Sequence, residues 1–504
     1  MKKIMLLIID GLGYTKEIKG NAPLEADMKN FKYLWQKYPH SLLEASGSKV
    51  GLLEGQPGNG EVGHKTIGLG KKSKQHITII NEEINNNKIS ENEELLKLIE
   101  HVITNSSTLH LMGLLTENKS HTDMGYIKKL IPILKEKGIN KIIFHAITDG
   151  TDSKTMCALK YIDEINKVLN ENNIGHIATV CGRFYAMDSE LNWERTRVYS
   201  DMLINGKGLK ILDVDIAIKN CYKRGLTDEF LPPLILNPEY KINEHDGLLW
   251  LNFSSNSSRQ ILKSLTDLSF EEYRVEHINN LKVTTMFNIS DLNTTSLFIK
   301  NETEEYSLGK YFSDLHMTQS RIADEEKFDC ITSYFDNTNG EKLKYCDSYK
   351  IENPKTTNID SIPEMNLQDL INQVKKCAEK DYDFIAINIS NPDVISNTGN
   401  YSAVIESLKH VDNAIKNIYD IAEDNFYNLV ITSDHGNVEE MLDENNIIKT
   451  SQTTNPVPFI FCDENVKIIE NGDLSMIAPT ILKYMDIKIL DEMANTPLLF
   501  ERED

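Results

Sequence analysis

Three aspartates each close an apolar, β-branched run: Ile4 to Asp10, Phe384 to Asp393 and Leu429 to Asp434. Runs of this length suit strands buried on both faces, as in a parallel sheet covered by helices. Ligands of such sheets bind beyond the carboxyl ends of the strands, where these aspartates fall. One such aspartate reads equally well as a helix N-cap or a turn former, but three together favour a site. The last run continues as Asp434-His435-Gly-Asn437, which sets a hard carboxylate beside an imidazole, both suited to a divalent transition metal. Gln56-Pro-Gly-Asn-Gly-Glu-Val-Gly-His64, followed by Ile67-Gly-Leu-Gly70, reads as a glycine-rich loop whose backbone N–H groups can approach a phosphate. Thr453-Thr-Asn-Pro-Val-Pro458 reads as a stiff approach to another strand.

The elements that must position these residues form two α/β groups. Asp10 near one end and Asp434 near the other point to one sheet, split by an intervening region with its own strands and helices. Within that region Ser107 to Leu115, Lys141 to Thr148 and His176 to Cys181 read as strands. Met124 to Lys137 and Met156 to Glu171 carry apolar residues at helical spacing. Asn85-Asn86-Asn87-Lys88 reads as an exposed loop, and Asp291 to Asn301, polar at its start, as a linker back to the first group. No internal repeat is visible. At 504 residues the chain has room for two to four domains of roughly 150 residues each.

Charge and cysteine content exclude several function classes. With Lys plus Arg at 54 and Asp plus Glu at 76, the net charge of −22 disfavours nonspecific binding to nucleic acid or an anionic membrane. An anionic ligand then needs a locally basic pocket. The seven cysteines (Cys157, Cys181, Cys221, Cys330, Cys346, Cys377, Cys462) are odd in number, scattered and never paired as C-x-x-C. That pattern predicts reduced thiols and a cytoplasmic location, with neither a disulfide framework nor a zinc site. The apolar run after Met1-Lys-Lys is too short for a signal peptide and lacks a cleavage site, and no run approaches the roughly 18 residues of a membrane span.

Taken together the motifs resemble the cofactor-independent (2,3-bisphosphoglycerate-independent) phosphoglycerate mutases of the alkaline phosphatase superfamily. The resemblance rests on Ile9-Asp-Gly-Leu-Gly13, Gly51 to Gly70, His110 to Leu115, Asp149-Gly-Thr-Asp152, Cys181-Gly-Arg-Phe-Tyr-Ala-Met-Asp188, Asp393, Ser433 to Asn437 and Thr453 to Pro458, in order along essentially the whole chain. It implies an alkaline-phosphatase-like, doubly wound domain from residues 1–75 plus 303–504, and an inserted substrate-binding α/β domain over 78–300. It also implies a monomer with a serine nucleophile and two manganese ions, and a phosphoryl group held covalently while the glycerate reorients.

The chain departs from that family pattern where the chemistry resides. The family's Gly-Asn-Ser-Glu-Val-Gly-His is Gly58-Asn-Gly-Glu-Val-Gly-His64 here, which leaves Gly60 at the nucleophile position. Of one metal site Asp393 remains, while its two histidines are Asn397 and Gln452, poor substitutes for imidazole. The other keeps Asp10, Asp434 and His435, which predicts a single divalent ion, manganese by resemblance, with no second metal; the same three residues would also persist as a hydrogen-bonded polar cluster. Four arginines are lost, at Thr151, Ser189, Ser254 and Ser257, each able to make bidentate bonds worth roughly 1.5–3 kcal/mol. His121, Asp152, Arg183 and Lys327 remain as substrate-binding candidates.

These losses lead to the expectation of a mutase-like protein without mutase activity, binding a small anionic or polar ligand. An altered phosphoryl- or phosphonyl-transfer or hydrolytic enzyme, in which water activated at Asp10, Asp434 and His435 attacks directly, is the alternative. A working glycolytic mutase ranks third on mechanism.

Overall fold

The computed structural model describes residues 2–73, 75–117, 121–237, 241–289, 292–298, 306–338, 341–356, 359–494 and 496–500. Its backbone contacts divide the chain into two units, Met1–Gln75 with Thr303–Asp504, and His76–Glu302.

In the first unit the apolar run at the N-terminus forms the strand Lys3–Ile9. It lies between the strands of the two other aspartate-tipped runs, Phe384–Ile389 and Tyr427–Thr432, parallel to both. Successive side chains on a strand point to opposite faces. Accordingly Met5, Leu7 and Ile9 enter one apolar core, and Ile4, Leu6 and Ile8 the other. This double burial is why the run is continuously apolar rather than alternating. Gln319–Asp324 and Cys346–Ile351 extend the parallel sheet on one side. Val457–Phe461 adds an antiparallel strand on the other, followed by His40–Glu44 and Gly472–Asp473.

The second unit is another mostly parallel sheet, ordered Thr295–Phe298, Lys282–Phe287, Gly247–Trp250, Leu109–Leu115, Ile142–Thr148, Gly175–Gly182, Leu234–Ile235, Leu209–Lys210. Among the described residues, only the pairing of Gly175–Gly182 with Leu234–Ile235 is antiparallel. Met124–Glu136 and Ala158–Glu171 are its helices at the predicted positions, within two residues at their ends.

Four expectations need correction. The Asp291 to Asn301 segment is not simply a linker: Thr295–Phe298 pairs in parallel with Lys282–Phe287 at the sheet edge. Asp291 and Asn301 themselves lie outside the described residues. Asp393 is not at a strand end; the strand stops at Ile389, and Asp393 sits in the first turn of the short helix Asn391–Ser396, which Pro392 opens. The glycine-rich stretch is half helix. Asn59 caps the helix Gly60–Leu69, its Oδ1 accepting from Val62 N at 3.0 Å, and its later glycines serve close packing. A Cβ on Gly63 would stand 2.3 Å from Asp434 O, and one on Gly68 would stand 1.9 Å from Phe335 O. Asn85 likewise ends the helix His76–Asn85 instead of opening a loop.

A buried polar chain crosses three strands of the second unit. His110 lies 3.1 Å from Asp246 through Nε2 and 2.9 Å from His145 Nε2 through Nδ1; His145 Nδ1 lies 2.9 Å from Thr179 Oγ1. Burial and the neighbouring His110 push the His145 pKa well below its ordinary value, so the folded protein holds it neutral. The unfolded chain binds that proton from about pH 6.5 downward, so stability falls as pH drops through this range. We predict that wild-type stability, followed by denaturant unfolding, declines between pH 6.5 and 5. His145→Leu, though less stable at pH 7, should lose about 1.4 kcal/mol per pH unit of that decline, the value of one proton.

Candidate functional site

The site of the first unit is assembled from strand ends. Asp10 directly follows Lys3–Ile9, and Asp434 follows the neighbouring Tyr427–Thr432 by two residues. Gly11 N donates to Asp434 Oδ1 at 3.3 Å and Leu12 N to Ser433 Oγ at 3.0 Å, which interlocks the two loops. Asp10, Asp393 and His435 bring one ligand atom each within 4.8 Å of one another, as do Asp10, His64 and Asp434. The predicted ligands Asp10, Asp434 and His435 lie in one cluster but are divided between these two sets; His435 Nε2 is 3.3 Å from Asp10 Oδ1 and 3.6 Å from Asp434 Oδ2.

Protonation follows from the partners. Both nitrogens of His64 face only acceptors: Nδ1 lies 2.8 Å from Gly60 O and 3.2 Å from Asp434 Oδ2, and Nε2 lies 2.9 Å from Asn388 Oδ1. The Asn388 orientation is fixed because its Nδ2 donates to Asp10 Oδ2 at 3.3 Å. Burial opposes charge on His64, but the Asp434 carboxylate outweighs it and raises the pKa. His64 is thus a buried counter-ion, and its nitrogens are committed; it is the poorer ligand of the two histidines.

His435 is different. Its Nδ1 donates to Gly436 O at 3.2 Å, so Nε2 looks into the carboxylates, where a bare lone pair would be repelled. Despite burial, Asp434 and Asp10 lift its pKa to about 10. Asp434 Oδ2 and His435 Nε2 are fully buried and make no hydrogen bond of good geometry. A proton or a cation satisfies both, and two carboxylates with one imidazole form a fitting donor set for a divalent ion.

Lys327 lies within this cluster. Its Nζ is 3.1 Å from Asp10 Oδ1 and 2.8 Å from Asp393 Oδ2. Its burial opposes the charge, and Asp10 and Asp393 reverse that, raising its pKa. Asp393 is fully engaged, since Asn437 Nδ2 donates to its other oxygen at 2.8 Å. Burial and Asp434 disfavour ionised Asp10, yet Lys327 and His435 hold its pKa below the ordinary carboxylate value.

A cavity of about 410 Å³ opens onto this cluster, lined by Gly60, Lys327, Cys330, Asp393 and Asn397 among others. Asn397 is exposed at its mouth, while Gln452 is half-buried beside Thr453, outside the lining residues. A Cβ on Gly60 would stand 3.4 Å from Lys327 Nζ and from Cys330 Sγ, and 3.6 Å from Asp434 Oδ2, so a side chain there would enter the cluster without a clash.

Sequence reading missed His64, which lay in a motif valued for its glycines. It also missed Glu439, a buried carboxylate that accepts from Gly13 N at 3.1 Å, Asn437 N at 2.8 Å, Asn455 Nδ2 at 2.9 Å and the Thr453 hydroxyl. One residue thereby holds three loops around the site. Its position five residues past Asp434 offered no distinguishing pattern.

In the second unit Arg183, after the strand Gly175–Gly182, donates through Nη1 to Asp149 Oδ1 and Asp152 Oδ2, both at 2.7 Å. Its Nη2 lies 3.1 Å from His121 Nε2; a guanidinium only donates, so Nε2 accepts and the imidazole proton sits on Nδ1, 3.3 Å from Ser257 Oγ. Burial and Arg183 lower the His121 pKa, which agrees with a neutral ring. His121, Asp152 and Arg183 therefore form one cluster, whereas Lys327 belongs to the cluster of the first unit. Of the four altered positions Ser257 reaches His121, Thr151 N contacts Asp149 and Ser189 is exposed.

Comparison with known proteins places this architecture. Residues 80–291 match the model of the BPG-independent PGAM N-terminus, and residues 275–488 match that of type I phosphodiesterase / nucleotide pyrophosphatase. The chain is 36% identical over 505 residues to the 2,3-bisphosphoglycerate-independent phosphoglycerate mutase of Clostridium botulinum, with 99% of each chain covered. It is 35% identical over 508 residues to that of Clostridioides difficile, again with 99% of each covered. In fold it matches the Leishmania mexicana phosphoglycerate mutase crystallised at low cobalt concentration, at a TM-score of 0.76 and 21% identity, covering 99% of this chain and 98% of that one. Full-length identity of this order, on a phosphatase-like sheet with a second α/β unit inserted, makes the chain a member of the cofactor-independent phosphoglycerate mutase family.

Proposed function

We propose that this family member does not interconvert phosphoglycerates and acts as a binding or regulatory protein for a small polar ligand, with one divalent ion at Asp10, Asp434 and His435. The observation that carries the reading is the environment of Gly60. The position from which the family's serine attacks has no side chain, and the nearest cation, Lys327, is committed to Asp10 and Asp393. Isomerisation requires a covalent holding point, because the phosphoryl group must return to a second hydroxyl of the same glycerate. Nothing at Gly60 supplies one.

A divalent ion here would lend Lewis-acid character to an oxygen of the ligand. The chain's own residues do the rest. Lys327 keeps Asp393 neutralised, His64 offsets Asp434, and the His435 ring is oriented by Gly436 O. Asn397 and Gln452 offer neutral amides where a second ion would need imidazoles. In the second unit the one guanidinium of the cluster is already shared by two carboxylates, which weakens its hold on a phosphate or carboxylate.

A second reading has its own support. The close approach of Asp10, Asp434 and His435 and the cavity beside them suit a hydrolase in which water attacks directly and inorganic phosphate is released. Release of phosphate without isomerisation separates it from the first reading.

Pure protein with added manganese should give no interconversion of 3-phosphoglycerate and 2-phosphoglycerate above background in an assay coupled to enolase; measurable turnover would overturn the proposal. Gly60→Ser fits the available space, so the variant should fold, yet it should show no phosphoserine by mass spectrometry after incubation with substrate. Each missing preorganised contact costs about 10²–10³ in rate, and several are missing together. Adding Asn397→His and Gln452→His should raise manganese stoichiometry before any turnover appears; substantial turnover from Gly60→Ser alone would show the site to be intact.

A further inference from the structure

A second cavity of the first unit takes no part in the function proposed above. It encloses about 180 Å³ where the loop after Asp10 meets the helix Lys29–Lys37. Leu12 and Met28, each 2% exposed, belong to its lining, and Tyr14, Phe31 and Trp35 give it an aromatic wall. The Trp35 ring centroid stands 6.2 Å from that of Tyr14 and 6.1 Å from that of Phe31, with interplanar angles of 10° and 27°. Aromatic pairs at such separations attract one another, so the wall holds its shape without a ligand.

The loop is pinned to its neighbours. Gly11, Leu12 and Gly13 donate their backbone N–H groups to Asp434, Ser433 and Glu439 in turn, and Tyr14 N donates to Pro456 O at 2.8 Å. Pro458, which ends the stiff approach that begins at Thr453, also lines the cavity. A cavity framed in this way spares a ligand the cost of ordering its walls. Tyr14 and Leu24 are nevertheless 37% and 44% exposed, which leaves apolar surface for a ligand to cover.

Size and charge select the occupant. An apolar cavity of about 150 Å³ holds a benzene molecule in another protein, so this one takes a single ring with a short side chain. Lys32 is the one charged side chain among its described lining residues. Its ammonium pairs with Asp27 at 2.6 Å, and Lys29 reaches the same carboxylate at 3.9 Å, so two lysines share one acid and the rim keeps a net positive charge. The helix Lys29–Lys37 holds three lysines and no acidic residue, in a chain of net charge −22. The cavity beside Gly60 has the opposite character, with Glu61, Glu326 and Asp393 in its lining. We propose that the cavity at Trp35 binds a small aromatic carboxylate, with its ring on the aromatic wall and its carboxylate at Lys32. Burial of the ring supplies most of the affinity, and the exposed ammonium adds a smaller share and the orientation. The site is separate from the carboxylate cluster and stands whether or not that cluster holds an ion.

The test is calorimetric titration of the full-length protein, at low ionic strength, with 3-phenylpropionate, its neutral amide and acetate. The expected result is one 3-phenylpropionate per chain, the amide bound about 3-fold more weakly, and no binding of acetate. Lys32→Gln should lower the affinity for the acid about 3-fold, to that of the amide, and leave the amide unchanged. Trp35→Ala should weaken both at least ~10-fold. The Lys32 side chain is 44% exposed, so its variant keeps the site testable if Trp35→Ala fails to fold. Excess inorganic phosphate, a competitor for the polar cavity beside Gly60, should leave binding unchanged. Absence of 3-phenylpropionate binding overturns the proposal, as do an acid affinity indifferent to Lys32→Gln, binding that survives Trp35→Ala, and displacement by phosphate. A dimer in solution that Trp35→Ala dissociates would give the cavity to a second copy of the chain and overturn it likewise.

Discussion

Three carboxylates buried at the ends of neighbouring elements must be neutralised, and much of the first unit is arranged to do so. Asp10, Asp393 and Asp434 are each no more than 2% exposed. Burying one unpaired carboxylate is expensive, and burying three together adds mutual repulsion. Lys327 spans two of them, His64 attends the third, and His435 faces all three. The ladder that sets these residues together is apolar on both faces, so no water reaches the cluster from the sheet beneath it. Charge neutrality at the top of a dry sheet is therefore a condition of folding here, whether or not any reaction takes place.

That condition explains which parts of the site were legible in the sequence. Continuous apolar runs announced the three central strands, because double burial leaves no room for alternation, and the acidic residue after each run marked the carboxyl edge of the sheet. The counter-ions were not announced. Lys327 was picked out only by resemblance, and as a substrate-binding residue; nothing in its segment, Asp324-Glu-Glu-Lys327, marks it as the partner of Asp10 and Asp393. His64 was obscured by the glycines around it. The strand Thr295–Phe298 was missed because an edge strand needs only one neighbour and tolerates the polar Thr-Ser start that resembles a connection.

The second unit applies the same economy to recognition. Arg183 could present its fork to an anion, yet Asp149 and Asp152 occupy Nη1 and His121 faces Nη2. A guanidinium so held is a rigid structural post, and it fixes the His121 tautomer through a hydrogen bond that only one ring form can accept. Ser257, at the end of this chain, retains a hydroxyl whose proton can be given to a ligand. The resulting surface is ordered and polar but carries little free positive charge, which agrees with a chain whose net charge is −22.

The glycines between Gly58 and Gly68 support a different lesson. Gly58 lies against Ala45 O, Gly63 against Asp434 O and Gly68 against Phe335 O, each so closely that a methyl group would collide. Those contacts belong to the packing of a helix on its neighbours and would be required of any chain with this core. Gly60 is free of that restriction, since a Cβ there would meet Lys327, Cys330 and Asp434 only at ordinary van der Waals distances. The glycines of this recognisable stretch are thus maintained by sterics, and the position where we propose that the reaction is lost is one that sterics leave unguarded. A lineage could lose its reaction at this residue in a single step while every feature that makes the motif look familiar stayed in place.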